Sequence, residues 1–278
     1  MKRPSIKEFQ QTILSWYRIN GRHDLPWRST HDPYRILVSE IMLQQTQVDR
    51  VIEKYKEFLR TFPTAKKLGT ASVDALLRIW KGLGYNRRAL NLQRAAQMIV
   101  SDYAGHFPRH IEDIEKLPGV GPYTARAIAT FAFKEPHVFI ETNIRRIFIY
   151  FFFQNRTAVS DDELKPLIQK ALWKKDPYAW YSALMDYGAL AMKDMPNPNK
   201  KSTQYVRQSR FEGSQRYARA KILEFLLDGN GSSKAHIQRF FEKDPHLIPN
   251  KKSLITLLKT LSREGFIVLS GNYWHIKK

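Results

Sequence analysis

Apolar residues recur every three to four positions through most of the chain's first 200 or so residues, the period of helices with one buried face. Between residues 6 and 20 the repeat carries Phe9, Ile13, Leu14 and Tyr17. A longer pattern from 33 to 62 runs through Ile36, Leu37, Ile41, Met42 and Leu43, then Val48, Val51, Ile52, Tyr55, Phe58 and Leu59. Shorter helices are predicted at 72–80 and 87–102. Pro108, Pro118 and Pro136 punctuate the middle of the chain, each near a helix boundary. This part shows no fixed-period repeat and no β-hairpin signal.

The pattern changes at Met195-Pro196-Asn197-Pro198-Asn199-Lys200-Lys201-Ser202, a Pro/Asn linker. It opens into a basic stretch with Arg207, Arg210, Arg216, Arg219 and Lys221. Beyond it, helices are predicted at 217–227, 233–243 and 251–264. Two short apolar runs, 266–269 and 273–276, then flank Ser270-Gly271-Asn272, a hairpin signal. Three helices followed by a hairpin is the order of a winged helix, whose third helix would read a DNA groove. The alternative is a small domain that packs on the first or binds a protein.

Composition adds one strong constraint. The 278 residues suffice for two or three domains with a sizeable core. They hold 46 Lys+Arg against 26 Asp+Glu, a net charge of +20. Such a surface attracts polyanions, with an affinity that falls steeply with salt; the alternative is a solvated surface tuned for solubility or high temperature. The absence of cysteine excludes disulfides, thiolate zinc sites and a cysteine-ligated iron–sulfur cluster. No apolar run of about twenty residues suggests a membrane span, and no signal region follows the N-terminus. The expectation is a cytoplasmic, nucleoid-associated monomer.

Two motifs bear chemistry. Leu117-Pro118-Gly119-Val120-Gly121-Pro122-Tyr123-Thr124-Ala125 has the form of a helix-hairpin-helix turn. Its glycines let backbone approach a phosphate, and the N–H groups opening the next helix point at the anion. Gly119, Val120, Gly121, Tyr123 and Thr124 are therefore expected to touch DNA. After one apolar helix, Glu141-Thr142-Asn143-Ile144-Arg145-Arg146 starts another helix with an acid. A third element, Ser39-Glu40-Ile41-Met42-Leu43-Gln44-Gln45-Thr46-Gln47-Val48, sets Glu40 among apolar positions. Helical spacing puts Gln44 on its face. From spacing alone, a surface glutamate beside a polar kink is the favoured reading.

Leu25-Pro26-Trp27-Arg28, the Ser39–Val48 element, Trp80-Lys81-Gly82-Leu83-Gly84-Tyr85 with Arg88-Ala89-Leu90-Asn91-Leu92, and the hairpin with Tyr123 together resemble the helix-hairpin-helix (HhH-GPD) DNA glycosylases. The likeness is to the branch that removes adenine opposite 8-oxoguanine, the MutY type, and covers about residues 10–192. It implies a mostly α fold: a glycosylase domain at 1–195, with lobes at about 29–135 and at 1–28 plus 136–195 and DNA between them. A basic linker would follow at 196–213 and the winged helix at 214–278. It also implies Glu40 as catalytic acid, Glu141 as stabiliser of the sugar cation, and Tyr123 where bifunctional relatives carry a Schiff-base lysine. The implied enzyme is monofunctional. Gln44, Gln45 and Tyr85 would contact DNA as wedge or pocket residues. Trp27, Arg28, Leu43, Gln47 and Asp186 would form the base pocket, Trp27 either stacking on a base or packing. No metal is required, though the Leu117 and Gly119 carbonyls could hold a monovalent cation against a phosphate of double-stranded DNA.

Three departures from that family stand out. It usually has Asp where this chain has Glu141, an arm longer by roughly 1.5 Å. Many relatives begin a four-cysteine cluster loop after the position of Ala189; this chain has none, and Arg207 and Arg210 are expected to take over its DNA-facing role. The adenine branch usually carries a nucleotide-hydrolase-like C-terminal domain, where this chain reads as a winged helix. Two alternatives follow: a glycosylase for mismatched or damaged pyrimidines (thymine, uracil, 5-hydroxyuracil), or an inactive DNA-binding protein.

Overall fold

The first helix, α1 (Ile6–Asn20), begins at a capping box in which the Ser5 hydroxyl accepts from the Glu8 amide and the Glu8 carboxylate accepts from the Ser5 amide. Phe9 and Ile13 are its buried face. The computed structural model describes residues 3–207, 210–229, 231–244, 246–247 and 251–278. After a 3-10 turn at Pro26–Arg28 come α2 (Pro33–Leu43), α3 (Val48–Thr61), α4 (Ala65–Gly69), α5 (Val73–Trp80), α6 (Arg87–Asp102), α7 (Ile111–Lys116) and α8 (Pro122–Phe133). There follow α9 (Thr142–Phe152), α10 (Asp161–Ala171) and α11 (Pro177–Asp186), the last running into one π turn at Tyr187–Ala191. Then come a 3-10 turn at Pro198–Lys201, α12 (Gln215–Asp228), β1 (Ser232–Ser233), α13 (Lys234–Glu242), α14 (Lys251–Glu264), β2 (Ile267–Ser270) and β3 (Tyr273–Ile276). Among the described residues no helix is long and apolar enough to cross a membrane.

The pattern from 33 to 62 is two helices, not one. Helix α2 stops at Leu43, so the helical spacing that aligned Gln44 with Glu40 does not apply. The physical reason is Arg88. Its buried guanidinium donates to the carbonyls of Ile41 (2.9 Å) and Met42 (2.8 Å), orphan acceptors at the end of α2, and to that of Gln44. It also reaches the Thr46 hydroxyl and the Leu83 carbonyl, each at 2.9 Å. Gln45 turns the chain at φ 55°. Burial lowers the Arg88 pKa to about 10, well above neutrality, so the side chain remains a cation.

The chain is shared by two compact units. One comprises 1–40, 107–116 and 120–207; the other comprises 41–106, 117–119 and 208–278. In the first, Phe9 packs edge-on against Phe148, Phe152 and Trp180. Helix α8 belongs there rather than with the middle of the chain, because its buried Ala125, Ile128 and Ala129 lie on a helix that packs on α7 and α11. The Pro/Asn linker is partly ordered in the same unit. Asn199 donates to the Thr142 carbonyl (3.0 Å), and the Val159 amide donates to that of Lys201 (2.8 Å).

Asp186, fully buried, anchors the segment before α2. It accepts from Arg22 Nε (2.8 Å) and the Arg22 amide (2.8 Å), and from Arg28 Nη1 (2.6 Å) and Nη2 (2.9 Å). Burial would raise this carboxyl, but Arg28 and Arg22 outweigh it and hold the pKa below its ordinary value. Asp186→Ala would strand a buried guanidinium; a loss of about 3–5 kcal/mol of stability in urea unfolding is expected, against under 1 kcal/mol if the cluster is dispensable.

In the second unit the C-terminal residues build the predicted three helices and hairpin. Antiparallel β2 and β3 pair Ile267 with Ile276 and Ser270 with Tyr273, and β1, which the hydropathy pattern misses, adds Ser233 opposite Tyr273. Arg78 donates to the Leu227 carbonyl (2.7 Å) and Arg94 to that of Glu264 (2.7 Å), tying this part to α5 and α6.

Candidate active site

Three side chains from three helices meet in the first unit. Glu40, near the end of α2, is 9% exposed, so the surface-glutamate reading is overturned. Tyr123 is the second residue of α8, and its hydroxyl donates to Glu40 Oε2 at 3.3 Å. Glu141 is the N-cap of α9: Oε1 accepts the Ile144 amide at 2.7 Å, and Oε2 accepts Asn143 Nδ2 at 3.2 Å. The acid predicted to open that helix caps it, satisfying one of its unpaired N–H groups.

Electrostatics separates the two acids. Burial raises the Glu40 pKa to about 7; the Tyr123 hydrogen bond opposes this and the Glu141 charge adds to it. Burial is also the largest effect on Glu141 and leaves its pKa raised, although the amides of Asn143 and Ile144, and then Arg145, oppose it. Arg145 is itself fixed by Asp161, with contacts of 2.7 and 2.8 Å. Burial followed by the Glu40 charge pushes the Tyr123 hydroxyl well above its ordinary value, so it stays a donor at neutral pH. Glu40 thus titrates where a proton donor is useful, while Glu141 sits among groups that favour its ionised form.

Tyr123 is seated by an edge contact with Phe139 (5.6 Å), which stacks on Tyr181 (3.8 Å). With Phe139, Ile140, Arg126 and Lys165 it lines a cleft of about 700 Å³. In the hairpin, Gly119 has φ 84°, and a Cβ there would lie 2.9 Å from Asn91 Cβ. Gly121, with no such neighbour, precedes Pro122 at the start of α8, which has no side-chain cap.

Other sequence-predicted residues fall elsewhere. Arg28 and Asp186 engage each other, with Tyr17 and the Ser182 carbonyl closing the cluster. Leu43, Gln44, Gln45, Gln47 and Tyr85 lie in the second unit. Gln45 and Gln47 are exposed there, as are Arg207 in the first unit and Arg210 in the second. Sequence reasoning missed Asn143 and Arg145 with Asp161 as site-building residues, and Arg88 as the residue that ends α2 in the second unit. The Thr-Asn dipeptide after Glu141 was the available signal for the first; the partners of the others lie up to 47 positions away. Among the described residues no group of three or more His, Asp or Glu could hold a metal. With no cysteine, the residues present do not fit a thiolate-held iron–sulfur cluster.

Residues 38–175 match the HhH-GPD superfamily of base excision DNA repair proteins, and the chain belongs to that family. It is 38% identical over 196 residues to the adenine DNA glycosylase of Buchnera aphidicola subsp. Baizongia pistaciae, covering 69% of this chain and 55% of that relative. It is 45% identical over 136 residues to the adenine DNA glycosylase of Mycobacterium tuberculosis, covering 49% and 44%. The structure of a thermostable thymine-DNA glycosylase superposes with a TM-score of 0.62 at 28% identity, over 70% of this chain and 92% of that one. The chain spans about half the length of the curated relatives it matches. The fold is mostly α and of the helix-hairpin-helix glycosylase type, as the resemblance implied.

Proposed function

We propose that this chain is a monofunctional DNA glycosylase that hydrolyses the N-glycosidic bond of adenine mispaired with guanine or 8-oxoguanine. The observation that carries the reading is the buried Glu40, pKa about 7, hydrogen-bonded by Tyr123 and set beside a capped Glu141. Adenine leaves poorly as an anion, so it must be protonated as its bond to the sugar breaks. Glu40 supplies that proton. Departure leaves an oxocarbenium-like sugar, which the Glu141 carboxylate stabilises until a water adds at C1′ and gives its proton to the now ionised Glu40. Asn143 and the Ile144 amide aim the Glu141 carboxylate; Arg145, locked by Asp161, opposes the upward push of burial on its pKa. Tyr123 occupies the place of a Schiff-base lysine and has no amine to attack the sugar, so the product is an intact abasic strand. The target base reaches these groups only when flipped from the stack.

DNA is held by phosphate contacts from the hairpin backbone and by the net +20 surface. The exposed Arg207 and Arg210 flank the entry to the winged-helix-like domain and contribute to that grip. Reversing both to Glu is expected to weaken duplex binding at least tenfold and to flatten the dependence of log K on log salt by about two phosphates' worth; unchanged affinity would remove them from the interface.

Single-turnover assays on a duplex panel test the reading. Adenine opposite 8-oxoguanine and opposite guanine should yield strand breaks only after alkali. Cutting confined to thymine, uracil or 5-hydroxyuracil opposite guanine would make it a pyrimidine glycosylase. Binding without cutting on every duplex would make it an inactive DNA-binding protein.

A further inference from the structure

The turn between α5 and α6 is held in an unusual backbone state. Gly82, Gly84 and Tyr85 have φ of 96°, 70° and 46°. The first two are glycines, for which this is inexpensive, but a tyrosine at positive φ is strained and must be held by its surroundings. Arg88 holds the backbone, donating to the carbonyls of Leu83 (2.9 Å) and Gly84 (3.1 Å). The side chain is held from another direction. Arg216, in the first turn of α12, donates through Nη1 to the Tyr85 hydroxyl, and its guanidinium lies 5.5 Å from the Tyr85 ring centroid. The Arg88 guanidinium is also 5.5 Å from that centroid.

Helix α12 is a firm base for this contact. Arg219 pairs with Glu264, Lys81 reaches Asp228 at 3.3 Å, and Arg78 takes the Leu227 carbonyl. The same helix that opens the C-terminal domain therefore clamps one side chain of the glycosylase domain.

We propose that Arg216 is a positioning residue for Tyr85, through which the C-terminal domain sets how strongly the protein prefers a mispaired over a paired target. This rests on the glycosylase reading and on Tyr85 acting as a wedge at the lesion, one of the two roles the resemblance implies for it. A ring whose rotamer is already fixed forfeits less entropy on insertion. A freed ring probes every site alike, so selectivity falls while the general phosphate grip remains.

The test is a double-mutant cycle on full-length protein with Arg216→Ala, Tyr85→Phe and both together. The readout is the ratio of dissociation constants for matched and mismatched duplexes, the latter carrying uncleavable 2′-fluoro-deoxyadenosine opposite 8-oxoguanine. Each single change should cut the ratio about tenfold, and the double change no further, since the two act through one contact. Arg216→Lys, keeping a donor and the charge, should recover part of the loss. Should R216A melt early, R216M, which keeps the apolar stem but has no donor, carries the same cycle. A wild type that discriminates, with R216A unchanged or the two effects additive, overturns the coupling alone. A wild type that binds both duplexes equally overturns the coupling and the adenine reading with it.

Discussion

Glu40→Gln is expected to lower single-turnover base release by about 10²–10⁴-fold and, in the same protein, to raise stability at alkaline pH. Both follow from one cause. The folded chain holds Glu40 at a pKa of about 7, against an ordinary value of 4.5, mainly by burial. A raised carboxyl pKa favours the protonated form in the folded state. Its relative stabilisation is fully present below pH 4.5 and is lost as pH rises through about 7. Above that, ionised Glu40 costs the fold on the order of 3 kcal/mol. The amide carries no such cost. Urea unfolding should show wild type and variant alike near pH 4.5 and the variant ahead by about 2–3 kcal/mol at pH 8. Equal stability at both pH values would mean that Glu40 is not held protonated.

The second large effect concerns Glu141, the residue that departs from the family's usual aspartate. Glu141→Asp shortens the arm by roughly 1.5 Å while leaving an equally good N-cap for α9. The fold should survive. The carboxylate would be pulled back from the sugar, and a misplacement of about 1 Å can cost on the order of a hundredfold in rate. Glu141→Gln keeps the length, and its oxygen can still accept the Ile144 amide, but it carries no charge; a loss of about 10²–10³-fold is expected. Binding to an uncleavable duplex should change little for either. If Glu141→Asp were as fast as wild type, the site would tolerate either arm and the longer one would carry no mechanistic weight.

How far the chain could be read in advance depended on the range of the interactions. Helices α1, α6 and α14 were legible because a 3.6-residue apolar repeat is local. The hairpin around Gly271 was legible for the same reason. The break after Leu43 was not, because the residue that ends α2 is Arg88, 47 positions downstream of Ile41. Glu40 shows the same limit from the other side. Its spacing suited a surface residue, and only the family motif pointed to catalysis; its burial depends on helices brought together from across the chain. The partnership of Arg28 with Asp186, both expected in the base pocket, joins residues 158 apart, beyond the reach of any local pattern.

Glu40 is the proton donor on which base release depends in the proposed reaction. The pH dependence of single-turnover adenine release, at saturating protein on a duplex with adenine opposite 8-oxoguanine, tests this most directly. Wild type should lose rate above a midpoint near pH 7, where Glu40 gives up its proton, and the residual rate of Glu40→Gln should lack that limb. A wild-type rate flat from pH 6 to 9, or a Gln variant as fast as wild type, would contradict the assignment.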